Sequence, residues 1–181
     1  MKIVKIILIV IAAIIAIVLI TAAFVKKDYD VEREIIINKP KVEVFEYVKY
    51  LRNQENYSPW SLMDPNMKTT YRGTDAQVGF VSAWDSELDS VGAGEQEIKK
   101  ITPNERIDLE LRFIRPFEST EQVRMITTEL NDNQTKLVWG FSGRLPYPFN
   151  IWHLFMDFDK MLGKDLEQGL QMLKTILESD E

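Results

Sequence analysis

An uncharged apolar run near the amino terminus constrains this chain more than any other feature. Residues 6–25 carry no charged side chain, and Thr21 is the only hydroxyl residue among them. A helix of these 20 residues would be about 30 Å long, which matches the hydrocarbon core of a bilayer. The run therefore predicts a transmembrane anchor over 6–25, preceded by an amino-terminal tail at 1–5 and followed by a linker at 26–30.

Lysines flank this run on both sides and support the anchor. Lys2 and Lys5 precede it, Lys26 and Lys27 follow it, and their ammonium groups can reach the two headgroup layers. A cleaved signal peptide is one alternative, although its apolar region is usually only about 7–15 residues long. A helix buried in a large core is the other. We favour a single-pass anchor that is not cleaved, and the short tail favours an extracytoplasmic position for the rest of the chain.

Composition excludes several kinds of site. The chain of 181 residues has no cysteine and one histidine, so disulfides, thiolate sites and multi-histidine metal centres are impossible within it. Its net charge of −6 argues against general nucleic-acid binding, which needs a basic surface. We expect no metal and no cofactor, because no motif for either is visible.

The rest of the chain follows an order of elements that predicts an α+β fold. A β-branched strand at 31–37 is followed by Pro40 and an amphipathic helix at 41–52. Alternating segments separated by turn residues then predict strands near 67–72, 78–84, 94–101, 106–113, 120–130 and 135–144. A long amphipathic helix at 149–178 would cover the sheet. We expect one domain, 31–179, with a curved antiparallel sheet of about six to seven strands wrapped on that helix.

Short segments of this domain carry a family resemblance. They include VEREIIINKP at 31–40, NYSPW at 56–60 and parts of 44–48, 63–65, 91–94, 135–139 and 155–170. The domain resembles the SRPBCC superfamily of START, polyketide-cyclase and pollen-allergen-like helix-grip proteins, and most of all its membrane-anchored polyketide-cyclase-type members. The resemblance implies a cavity between the sheet and the C-terminal helix that takes an apolar ligand. It does not imply one activity, because this fold hosts carriers, cyclases, hydratases and structural modules.

Large apolar side chains are the candidates for lining such a cavity. They are equally able to fill a plain core, and the sequence does not divide the two groups. The predicted ligand-binding residues are Trp60, Tyr71, Phe80, Trp84, Phe113, Trp139, Phe141, Trp152, Phe155 and Met156.

Asp159 is the one candidate catalytic acid. Helical spacing from Trp152 through Phe155 places it on the apolar stripe of the predicted C-terminal helix. A carboxyl group that faces a cavity would have a raised pKa and could act as an acid or base. The alternative, which we favour, is that Asp159 reaches solvent or pairs with a sheet arginine such as Arg112, Arg124 or Arg144.

These observations support three hypotheses about function. The first is a membrane-tethered domain that binds a hydrophobic small molecule or lipid, without catalysis. The second is a cyclase- or hydrolase-type enzyme that uses a cavity acid. The third is a structural or interaction module at the membrane surface, for which a filled core and an exposed apolar patch would be evidence.

Overall fold

The apolar run forms a helix that projects from the folded domain. The computed structural model describes residues 2–179, and helix α1 spans Lys2–Phe24. By length and hydropathy α1 is able to cross a membrane, and its most apolar window is not buried anywhere. Ala22, near its end, is the buried residue of α1. Because the rest of α1 is not buried, α1 is not a helix buried in a large core, and that alternative is excluded.

The domain is built on one antiparallel sheet of seven strands. These are β1 (Asp28–Ile37), β2 (Lys68–Arg72), β3 (Val81–Asp85), β4 (Ala93–Thr102), β5 (Arg106–Arg115), β6 (Ser119–Asn131) and β7 (Gln134–Arg144). Their order is β1-β7-β6-β5-β4-β3-β2. Neighbouring strands are consecutive in the chain, except for the pair of β1 and β7. The α+β class and the strand number match the expectation. β1 begins three residues earlier than predicted, because Asp28 still pairs with Arg144 of β7.

Three short helices connect β1 to β2. They are α2 (Lys41–Val48), a first 3-10 helix (Leu51–Asn56) and α3 (Pro59–Met63). The helix predicted at 41–52 therefore ends at Val48. The carboxylate of Asp75, in the β2–β3 connection, accepts hydrogen bonds from the backbone N–H of Leu51 at 3.0 Å and of Arg52 at 3.2 Å. This partner stabilises a separate turn after α2.

The prediction of one long helix at 149–178 is wrong for its first third. A second 3-10 helix spans Phe149–Leu154, and α4 spans Phe158–Glu178. Asp157 between them is extended, and its side chain accepts a hydrogen bond from the Lys160 N–H at 3.0 Å. This N-cap starts a new helix at that point. The prediction that Trp152 and Phe155 lie on the apolar stripe of α4 is consequently wrong. Both side chains are exposed.

The core lies between the concave face of the sheet and α4. Leu166, Leu170 and Leu173 of α4 are fully buried against it. A Cβ added at Gly169 would lie 2.7 Å from the ring of Trp139 on β7 and 3.1 Å from Cδ of Pro59. The sheet, α3 and α4 therefore meet without a gap at this point.

Candidate functional site

An open pocket of about 360 Å³ lies where α1 ends, β1 begins and α4 begins. Its walls are formed by Lys26, by Tyr29, Asp30 and Val31 of β1, and by residues 153–159. The volume falls within the usual range for small-molecule sites, about 300–1,000 Å³. The pocket is thus at one end of the α4–sheet interface, beside the apolar helix.

Aromatic rings form one wall of the pocket. Tyr29 stacks on Phe158 with ring centroids 4.9 Å apart and an angle of 14°. The His153 ring is 5.0 Å from that of Phe158 and 6.1 Å from that of Tyr29. Its Nε2 is 3.4 Å from the carbonyl oxygen of Lys27. The single histidine is therefore held by packing, and the wall suits an apolar or aromatic ligand.

A buried carboxyl group lies behind Tyr29. Glu121 of β6 is only 5% exposed, and burial raises the pKa of its side chain, against the effect of the Tyr29 and Ser119 hydroxyl groups. Burial also raises the pKa of Tyr29, and the neighbouring Glu121 carboxylate raises it further. A Cβ on Gly143 of β7 would overlap Oε2 of Glu121. Glycine at this position makes room for the carboxyl group.

Sequence reasoning missed Glu121, although a signal for it was present. In β6 the buried residues alternate, and Glu121 shares the inward side with Val123 and Met125. A charged residue at an inward position of a strand is a reason to look for a functional or strained site. Tyr29 was missed because β1 was expected to begin only at Val31.

Asp159 lines the pocket at an exposed position. Its carboxylate oxygens accept hydrogen bonds from the Arg33 guanidinium at 2.9 and 3.0 Å, and its side chain is 66% exposed. The bond to Arg33 holds the pKa of Asp159 below its ordinary value. The raised pKa expected for a cavity acid at 159 is therefore wrong. Pairing with a sheet arginine was anticipated, but the partner is Arg33 of β1 and not Arg112, Arg124 or Arg144.

The ten predicted ligand-binding residues fall into three groups. Phe80, Trp139 and Phe141 are buried in the core. Trp60, Tyr71, Trp84 and Phe113 are partly buried and pack against that core. Phe155 and Met156 line the pocket, and Trp152 is exposed beside Phe155, with ring centroids 6.3 Å apart. Their role in binding stays a prediction.

Some buried polar atoms on the concave side have no hydrogen-bonding partner among the described residues. They are Nε2 of Gln54, Oε2 of Glu121 and Nε1 of Trp139. Gln96 of β4 donates to the other amide atom of Gln54 at 2.8 Å. A buried polar atom without a partner costs about 1–3 kcal/mol. Such atoms are often retained where a ligand or an ordered water supplies the missing hydrogen-bonding partner.

Other places in the fold suit an apolar ligand less well. A pocket of about 670 Å³ at the opposite end of β1 is lined by polar side chains and Pro40, among them Asn38 and Glu43. Within residues 2–179, no three histidine, aspartate or glutamate side chains are grouped so that they could hold a metal ion.

Comparison with known proteins shows the fold and not a family. No family model and no curated protein matches this chain. Solved structures do match it over most of its length. Protein MLL2253 from Mesorhizobium loti is 15% identical, with a TM-score of 0.61 over 84% of this chain and 99% of the other.

Two further structures extend the comparison. Norcoclaurine synthase from Thalictrum flavum, solved in complex with dopamine and hydroxybenzaldehyde, is 5% identical, with a TM-score of 0.62 over 90% of this chain and 92% of the other. The Aha1 dimer from Colwellia psychrerythraea is 16% identical, with a TM-score of 0.57 over 83% and 96%. The chain has the helix-grip fold of these proteins, as expected, and identities this low carry no activity across.

Proposed function

We propose that this chain is a membrane-tethered SRPBCC-type domain that binds a hydrophobic small molecule or lipid. The supporting observation is the pocket of about 360 Å³ with its Tyr29 and Phe158 wall, placed at the end of α1. Norcoclaurine synthase, which has the same fold and was solved in complex with two small molecules, fits this proposal. Two lysines at each end of the apolar run favour α1 as the tether.

A binding role fits the pocket better than catalysis. Asp159 is engaged by Arg33 and has a lowered pKa, which is the opposite of what a general acid needs. Glu121 has a raised pKa, but its carboxyl group is buried next to Gly143 and the Tyr29 hydroxyl, and Glu121 does not line the pocket. A ligand in the pocket would touch the Tyr29 ring before it reached that group.

The interaction-module hypothesis has one observation in its favour. The centre of the domain is filled around Gly169, and large apolar side chains are exposed in residues 149–156. This alternative predicts an apolar surface without a bound small molecule. The experiment described next therefore separates it from the binding proposal.

Native mass spectrometry of the full chain, released from detergent, tests ligand binding. We expect a fraction of the chain to carry a co-purified apolar molecule. Met156→Trp would fill the pocket mouth and should weaken binding about tenfold or more, which corresponds to about 1.4 kcal/mol, and so lower that fraction. Val78→Trp is the matched control, since Val78 is exposed and distant from the pocket.

Two results would count against the proposal. A wild-type chain found entirely at its unliganded mass would leave the interaction module as the better hypothesis. Adducts of equal abundance in the Met156→Trp and Val78→Trp chains would place the binding elsewhere.

The side of the membrane belongs to the same proposal. We place the domain outside the cytoplasm, and this orientation can be tested directly. The chain has no cysteine, so a cysteine introduced at Val78 reports its compartment through a membrane-impermeant maleimide. Labelling in intact cells is expected, and labelling only after lysis would reverse the orientation.

A further inference from the structure

The segment 147–156 is attached to the end of α1 by side-chain hydrogen bonds. Asn150 is fully buried, and its Nδ2 donates to the carbonyl oxygens of Ala22 at 2.7 Å and Val25 at 2.8 Å. The hydroxyl of Tyr147 donates to the carbonyl oxygen of Leu19 at 3.3 Å. The bond to Ala22 reaches one of the last four carbonyl groups of the helix, where intrahelical donors run out.

The outward side chains of this segment are apolar. Phe149, Trp152, Leu154 and Phe155 are between 50% and 75% exposed. Phe24, at the end of α1, is 88% exposed and extends the same kind of surface. One exposed large hydrophobic residue is ordinary, but a contiguous set marks an interaction site.

The sequence of the segment contains no formal charge. Between Arg144 and Asp157 there is no Asp, Glu, Lys or Arg, in a chain that is 28% charged. Tryptophan and tyrosine are both present, at Trp152 and Tyr147, and these residues are enriched at membrane–water boundaries. The composition therefore resembles that of an element placed in a bilayer interface.

The depth of the contact fits the same interpretation. Bonds to Leu19 and Val25 place the segment alongside the last six residues of α1, a length of about 9 Å. Elements that lie in a bilayer interface bury their apolar faces by about 5–10 Å. If α1 spans the bilayer, the segment has to lie at its boundary, because the two are bonded together.

We propose that residues 147–156 form a second membrane contact, which lies in the bilayer interface beside α1 and fixes the orientation of the domain. The proposal rests on the proposed tether. The occupant of the apolar surface is lipid, because the surface is continuous with α1 and lacks the charges that protein interfaces carry at their rims. Leu154, Phe155 and Met156 also line the pocket, so the pocket mouth opens at the lipid boundary and an apolar ligand enters from the membrane.

The absence of cysteine makes a direct test possible. Single cysteines at Phe155, Val78 and Ile17 are labelled with an environment-sensitive fluorophore in the full chain, which is reconstituted in phosphatidylcholine vesicles. All three native side chains are more than half exposed. Val78 precedes β3 at the end of the sheet opposite to α1, as the strand order requires, and Ile17 lies within α1. Lipids with brominated acyl chains are the quencher.

We expect strong quenching at Ile17 and Phe155 and little at Val78. Quenching at Ile17 with none at Phe155 would overturn this inference and leave the tether intact. No quenching at Ile17 would refute the tether and with it this inference. Quenching of the label at Phe155 that rises with protein density, and not with bromolipid content, would show that a second copy of the chain covers this surface. That result would also overturn the inference.

Native tryptophan fluorescence provides a second measurement that needs no label. Bromolipid quenching of the wild-type chain should fall in Trp152→Phe and persist in Trp84→Phe, because Trp84 packs on Phe113 with ring centroids 5.7 Å apart. Equal quenching in the two variants would contradict the proposal. Thermal unfolding of each variant shows whether it has folded.

Discussion

Gly143→Ala should destabilise the domain through its effect on one buried carboxyl group. The added methyl would overlap Oε2 of Glu121 and lie 2.5 Å from the Tyr29 hydroxyl oxygen. Neither neighbour is free to move into solvent, because Glu121 is buried and Tyr29 is stacked on Phe158. Overpacking of this kind costs about 1–3 kcal/mol.

The expected shift follows from the size of the domain. For 150–250 residues a loss of 1 kcal/mol lowers the melting temperature by about 2–4 °C, so the loss should be about 2–12 °C. Thermal unfolding of the full chain in detergent, followed by near-ultraviolet circular dichroism, measures it. Both chains keep the same helix α1, so its contribution to the signal is common to them.

A double mutant separates the proposed cause from a general intolerance of alanine at 143. In a Glu121→Ala chain the carboxyl group is absent, and Gly143→Ala should then lower the melting temperature by clearly less. Coupling energies between residues in contact are about 0.5–3 kcal/mol. Equal losses in the two backgrounds would refute the idea that Glu121 and Gly143 share this space.

Three further results are expected from the same structure. Because the native-state pKa of Glu121 is raised, its ionisation favours unfolding. The stability of wild type relative to Glu121→Gln should therefore fall as pH rises above the ordinary glutamate pKa of about 4.3, in melts at a series of pH values; a constant difference would contradict this. Gly169→Ala should lower stability in urea unfolding, because its Cβ would meet the Trp139 ring, and overpacking of about 1–3 kcal/mol outweighs a gain of roughly 1 kcal/mol from the helix propensity of alanine; a gain in stability would mean a looser interface. Asn150→Ala should cost about 1–3 kcal/mol by removing the hydrogen bonds to the Ala22 and Val25 carbonyl oxygens, and should speed trypsin cleavage after the lysines that follow α1; unaltered cleavage would argue against the attachment.

Much of the fold could be predicted because it depends on local pattern. Alternation in 106–113 placed Ile107, Leu109 and Leu111 on one face, and all three are buried. The apolar run predicted α1, and the stripe at Leu166, Leu170 and their neighbours predicted α4. In each case the side chains that face inward follow from the repeat of the strand or helix alone.

The C-terminal helix shows where local pattern ends. Residues 149–156 continue the apolar spacing of α4, so the sequence predicted one helix. The Asp157 cap starts α4 nine residues later, and Asn150 is held by α1 carbonyl groups more than a hundred residues away in the chain. A hydrogen bond over that separation cannot be inferred from periodicity.

The sequence alone determined most of the elements, the apolar helix α1 and the absence of thiol and multi-histidine chemistry, because residue type and spacing dictate these. The tertiary structure decided which residues meet. It paired Asp159 with Arg33, enclosed Glu121 against Gly143, and brought Tyr29 and Phe158 together at the end of α1. The pocket forms because the sheet brings together segments that are far apart in the chain. They meet because of the order of the strands, which is a property of the folded chain.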